Sequence, residues 1–93
     1  MGKYSIRVEK KAIKDLEKIY KSGNKGDISK VEKIFQELEE HPKTGTGKPE
    51  ALKNELTGLW SRRINKKDRL VYEIADMEIV VIVLSAQGHY SDK

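Results

Sequence analysis

Apolar positions change their period along the chain, and each change marks an element. Tyr4, Ile6 and Val8 alternate with Lys3, Ser5 and Arg7, the pattern of a strand with one buried face. From Glu9 the spacing becomes helical: Ala12, Ile13, Leu16, Ile19 and Tyr20 form one stripe, with Lys10, Lys11, Lys14, Glu17, Lys18 and Lys21 opposite. Ser22-Gly23-Asn24-Lys25-Gly26 breaks that helix. Asp27 or Ser29 then caps a second one, with Ser29 and Glu32 at capping-box spacing. Its stripe is Ile28, Val31, Ile34, Phe35 and Leu38, and His41-Pro42 ends it, because a residue before proline is pushed out of the helical region. Neither stripe can stay wet, so the two helices form an antiparallel hairpin packed on each other or on a sheet.

Lys43–Pro49 reads as a loop, with Gly45, Gly47 and Pro49 in seven residues. Leu56–Ile64 and Leu70–Ala75 read as strands joined by the turn Asn65-Lys66-Lys67-Asp68. Trp60, Arg62 and Ile64 share one face of the first, opposite Leu59, Ser61 and Arg63; Leu70, Tyr72 and Ile74 share one face of the second, opposite Arg69, Val71 and Glu73. Since both strands carry charge on one face, that face is expected to be wet and open to a ligand. Ala75-Asp76-Met77 is a second tight turn, and Ile79–Leu84 is apolar on both faces, as in a central strand covered from both sides. The order is strand, helix, helix, three strands. It predicts a single α+β domain over residues 1–93, with an antiparallel-rich sheet and a helical hairpin on one face.

Charge sharpens this picture. From Lys43 to Arg69 there are eight Lys/Arg and three Asp/Glu, a local net charge of +5 in a chain whose total is +4. The rest of the chain therefore sums to −1, and a polyanion should be met in this segment. The absence of cysteine removes disulfides, thiolate chemistry and the usual structural zinc sites. With only two histidines, no metal site and no cofactor are expected. No apolar run approaches membrane-spanning length, and MGKYSIRVEKKA has no apolar core of a secretory signal, so a cytoplasmic protein without membrane contact is expected.

Within the basic segment Glu50 is a carboxylate among cations. It is either a loosely paired surface residue or a general base kept ionised by its neighbours. Arg63 and Arg69 flank the hairpin turn and can oppose each other across the ladder. They form either a solvated basic edge or a clamp for phosphate oxygens. His89-Tyr90 follows the last strand, as surface decoration or as a proton donor delivered to one end of the sheet. Trp60 reads as a core anchor or partly buried residue, and less as a base-stacking platform. One Glu, several Arg/Lys and one His would suffice for RNA cleavage, with a base for the ribose 2′-hydroxyl, cations for the phosphorane and an acid for the departing 5′-oxygen.

GTGKPEALKNELTGLWSRRINKKDRLVYEI, followed by a strand and GHY, resembles the YoeB/Txe toxins of type II toxin–antitoxin systems, in the RelE/ParE superfamily. The resemblance implies a RelE-like microbial ribonuclease fold and a ribosome-dependent endoribonuclease that cuts mRNA in the A site. It assigns Glu50 as general base, Arg69 as transition-state stabiliser, His89 as general acid and Tyr90 as an orienting residue. Lys53 and Arg63 stand where the family has basic residues near the scissile phosphate, and Lys48 and Arg62 of the basic segment complete the expected RNA- and phosphate-binding set. The implied partners are a Phd/YefM-type antitoxin, the ribosome and mRNA. Operator DNA would be met only through the toxin–antitoxin complex, and a homodimer is possible. A ParE-type toxin that binds DNA gyrase without cutting RNA is the alternative, and a decayed toxin that only binds its antitoxin is a third reading. Ser91-Asp92-Lys93 extends beyond the usual final His-Tyr pair, and Ala51 stands where the family often has proline.

Overall fold

The helical and strand periods locate most of the elements in a computed structural model, which describes residues 3–87. β1 is Ser5–Val8, α1 Lys10–Ser22, α2 Lys25–Leu38, β2 Glu50–Ala51, β3 Leu59–Arg63, β4 Arg69–Ala75 and β5 Val80–Ser85. Gly23 closes α1 with φ 73°, the left-handed conformation that glycine adopts at least cost, and donates to Tyr20 O at 3.2 Å. α2 begins earlier than the capping-box spacing predicts. Asn24 is its N-cap and accepts from the Asp27 amide at 3.0 Å, so neither Asp27 nor Ser29 has that role.

The sheet runs β1-β5-β4-β3-β2, and of its four pairings only β1 with β5 is parallel. One face carries Ile6, Val8, Trp60, Ile64, Leu70, Tyr72, Val81 and Val83, and α1 and α2 pack on it through Ala12, Ile19, Val31, Ile34 and Leu38. Every one of those helix positions lies on the stripes read from the sequence. Tyr20 and Ile13, also on the first stripe, are exposed instead.

Three strand assignments need correction. Glu50, which by sequence belongs with the loop it follows, begins β2; two residues are too few to display a period, and only their pairing with Ser61 and Trp60 makes them a strand. β3 starts at Leu59 rather than Leu56, because residues 54–56 form a 3-10 turn and Gly58 has φ 100°. β5 is not covered equally on both faces. Val81, Val83 and Ser85 are buried while Val80, Ile82 and Leu84 are half-buried, and Ile79 is an exposed turn residue with φ 56°.

The most consequential correction concerns Arg62. Expected to bind phosphate, it lies instead on the helix-facing side of β3, fully buried in the core. The face on which both strands carry charge, with Arg63, Arg69 and Glu73, is turned away from the helices as expected. A guanidinium has five N–H donors, and all are used. Nε donates to Tyr72 Oη (3.0 Å), Nη1 to Glu37 Oε1 (2.7 Å) and Thr46 O (3.3 Å), and Nη2 to His41 O (3.0 Å) and Thr44 O (2.8 Å). Glu37 also accepts from Thr46 N and Thr46 Oγ1, both at 2.7 Å. Burial works against the Glu37 carboxylate, but the two Thr46 bonds and the Arg62 guanidinium outweigh it and hold its pKa below the ordinary value. Tyr72 Oη donates to Pro42 O at 2.7 Å, and burial pushes its pKa up against the pull of Arg62, so the phenol keeps that proton.

Because removing one partner of a buried ion pair costs about 3–5 kcal/mol, Arg62→Met is expected to lower Tm by at least ~12 °C in a domain of this size. Arg63→Met, at an exposed position, should stay within about 0.5 kcal/mol of the parent. Thermal and urea denaturation of the two variants test this, and equal effects would contradict the buried placement. Glu37 and Asp15 both have depressed folded-state pKa values, so the stability they contribute is present above the ordinary carboxylate pKa and is lost as pH falls through the folded values. Tm should therefore change little on their account from pH 7 to 5, and fall below about pH 4. The fall should be shallower in Glu37→Gln than in the parent, measured as Tm relative to each protein's own neutral-pH value.

Candidate active site

The sheet face away from the helices gathers Glu50, Arg63 and Arg69 of the basic segment. In the ladder Glu50 lies opposite Ser61, Ser61 opposite Val71, and Arg63 directly opposite Arg69. Side chains alternate along a strand, so Glu50, Ser61, Arg63, Arg69 and Val71 share this face. With strands about 4.8 Å apart and alternate residues about 6.8 Å apart along them, the Glu50, Arg63 and Arg69 Cα atoms lie within roughly 12 Å. Ser61 and Val71 are small and buried, and form the floor between the longer side chains.

Local sequence accounts for this arrangement. The turn after β3 is tied by Asn65, whose Oδ1 accepts from Lys67 N and Asp68 N, both at 2.8 Å. Its Nδ2 donates to Asp27 Oδ2 at 3.0 Å and to Asp68 Oδ2 at 3.2 Å, which moors the hairpin tip to the start of α2. Arg63 and Arg69 are thereby held opposite each other. Two like charges in such a pair repel, which an anion lying between them would relieve.

The approach to Glu50 is held from the other end of α2. The Arg62–Glu37 pair grips His41, Thr44 and Thr46, and Arg63 N donates to Gly47 O at 2.7 Å. Gly47 has φ 85°, and a Cβ there would meet Arg63 O at 2.8 Å, so this close approach to β3 requires glycine. Lys48 follows with φ 53° and Pro49 leads into β2, which places Glu50 at the sheet edge with its side chain exposed.

Lys48 and Lys53 are exposed near Glu50, Lys53 preceding the 3-10 turn at Asn54–Leu56. Arg63 is exposed and Arg69 half-buried. Arg62, expected to bind phosphate, is instead enclosed with every donor engaged. His89 and Tyr90 lie outside the described residues. Among the described residues no cluster of three or more His, Asp or Glu has the spacing to hold a metal ion, and no helix is long and apolar enough to cross a membrane.

Sequence reasoning missed Asp15 and Glu37, the buried or half-buried carboxylates on the two helices. A signal for Asp15 was present: it sits between Ala12 and Ile19 on the apolar stripe, where an unpartnered carboxylate would be costly.

Residues 8–90 match the family of YoeB-like toxins of bacterial type II toxin–antitoxin systems. Toxin YoeB of Synechocystis sp. is 39% identical over 71 residues, 76% of this chain and 80% of that protein. The fold is similar to a YoeB/ParE toxin from Agrobacterium tumefaciens, with TM-score 0.81 and 27% identity over 92% of this chain and 99% of that one. It is also similar to a chain of the YoeB–YefM complex from Staphylococcus aureus, with TM-score 0.75 and 34% identity over 94% of this chain and 98% of that one. The five-stranded sheet with its helical hairpin, the order of its elements and the near full-length match agree: this chain belongs to the YoeB-like toxins of bacterial type II toxin–antitoxin systems.

Proposed function

We propose that this toxin is a ribosome-dependent endoribonuclease that cleaves mRNA in the A site and so halts translation. The observation that carries this reading is the common sheet face of Glu50, Arg63 and Arg69. Glu50 takes the proton from the ribose 2′-hydroxyl, and the 2′-oxygen attacks the adjacent phosphorus. Arg69, with Arg63 opposite, stabilises the charge that gathers on the phosphorane oxygens. The bond to the 5′-oxygen breaks, His89 protonates that oxygen, and the products are a 2′,3′-cyclic phosphate and a 5′-hydroxyl. Tyr90 orients substrate near that acid, while Lys48 and Lys53 hold the flanking backbone through its phosphates. No step needs a metal or cofactor, and DNA, lacking the 2′-hydroxyl, is not a substrate.

The proposed antagonist is a YefM-type antitoxin whose C-terminal segment covers this face. Operator DNA is then bound only by the joint complex. With Arg62 enclosed and paired to Glu37, the rest of the basic segment still carries +4, which favours an anionic covering segment as well as RNA.

Glu50→Gln, Arg69→Ala and His89→Gln are each expected to lower cleavage of ribosome-bound message by about 100-fold or more, with the domain still folded. Primer extension on translating ribosomes, beside circular dichroism of each variant, measures both. Wild-type cleavage by all three variants would overturn the catalytic assignment. Growth arrest with intact message and DNA damage would instead favour the gyrase-binding alternative.

A further inference from the structure

One buried carboxylate has no part in the chemistry described so far. Asp15, in the middle of α1, is 6% exposed, and its Oδ2 accepts from Ala86 N at 3.0 Å and Gln87 N at 3.3 Å. Lys11 Nζ reaches the same oxygen at 2.6 Å from the preceding helical turn. These contacts join the first helix to the end of the last strand, across more than seventy residues of sequence.

The geometry is informative because of where it occurs. In an extended strand successive N–H groups point to opposite sides. Two successive N–H groups that converge on one oxygen require the chain to turn there, a backbone arrangement suited to holding an anion. The ladder pairs Ser85 with Val71 and goes no further, so beyond Ser85 the neighbouring strand no longer directs the chain. Asp15 takes over at Ala86 and Gln87, and Ala86 itself is fully buried. In sequence His89 is the second residue after Gln87, and two residues span at most about 7 Å. That is little more than one strand spacing of about 4.8 Å, so the exit direction restricts what the imidazole can reach.

We infer that Asp15 is a positioning residue: by gripping the Ala86 and Gln87 amides it sets the direction in which the chain leaves β5, and with it the reach of His89. This rests on the assignment of His89 as general acid. Asp15 never meets the RNA. It acts through backbone, as Glu37 and Arg62 do for the loop before Glu50.

The test compares Asp15→Ala, Asp15→Asn and His89→Gln with Val31→Ala, a core change in α2 that destabilises without touching the clamp. Single-turnover cleavage of ribosome-bound message is measured with the full chain at saturation, together with apparent ribosome affinity, Tm and amide hydrogen exchange at Ala86 and Gln87. Asp15→Ala should exchange faster at those two amides and cleave about 10- to 100-fold more slowly, with ribosome affinity within about twofold of the parent. Asp15→Asn, which keeps an acceptor oxygen without the charge, should fall between. Val31→Ala should lose Tm yet keep the parent's rate below its melting range. The inference is overturned if Asp15→Ala cleaves at the parent's rate, or if both it and Val31→Ala slow to the same degree. Loss of cleavage in His89→Gln with normal cleavage in Asp15→Ala removes only the role of Asp15. Normal cleavage in His89→Gln overturns the general-acid assignment, and this inference with it.

Discussion

A single guanidinium enclosed in the core governs how this domain presents the sheet face that carries Glu50, Arg63 and Arg69. Arg62 extends from β3 into the helix layer, and its partners come from α2, from β4 and from the loop between α2 and β2. That loop spans residues 39–49 and has no regular structure of its own, a length at which loops in small domains are usually mobile or functional. Here the loop carbonyls of His41, Thr44 and Thr46 turn inward to Arg62, and Pro42 O to Tyr72. A buried cation is tolerable only when it is paired and its donors are met, and Glu37 with these carbonyls meets both conditions. The arrangement is asymmetric in energy. Intact, it contributes modest net stability; with one partner gone, several buried groups lose theirs at once.

The sheet thus separates two tasks. One face holds the core and the polar network that fixes the loop, while the other carries Glu50, Arg63 and Arg69 above a floor of small side chains. The basic excess of the segment is divided between them, since Arg62 lies inside while Arg63 and Arg69 face away from the helices. A sheet alone would leave the two approaches to this face loosely directed, because Glu50 sits on a two-residue edge strand and β5 stops pairing at Ser85. Each approach is tied to the helix layer by one carboxylate. Glu37 of α2 holds the loop before Glu50, and Asp15 of α1 holds the residues after β5. A third contact, Asn65 to Asp27, moors the tip of the hairpin. The helical hairpin of this chain therefore does more than form a core.

Local chemistry made much of this legible from the chain alone. Period 3.6 located both helices, and Gly23 stopped the first where a left-handed residue is needed. Period 2 with Asn65-Lys66-Lys67-Asp68 located the hairpin, and counting outward from that turn placed Arg63 opposite Arg69. Glu50 stood out as a carboxylate among cations, although its strand did not, because two residues carry no period.

What the chain could not display was which charges point inward and which distant segments meet. Alternation along β3 put Arg62 with Trp60 and Ile64 correctly, yet its charge suggested a phosphate ligand; only the packing of α2 supplies the carboxylate that lets it lie in the core. The parallel pairing of β1 with β5, and the grip of Asp15 on Ala86 and Gln87, join opposite ends of the chain and leave no local trace beyond a carboxylate on an apolar stripe. Periodicity and turn chemistry act over a few residues, so sequence determined the elements and the residue types of the candidate site. Long-range pairing and the satisfaction of buried charge act across the whole fold, so the tertiary structure alone decided which of those residues face away from the core and what holds them there.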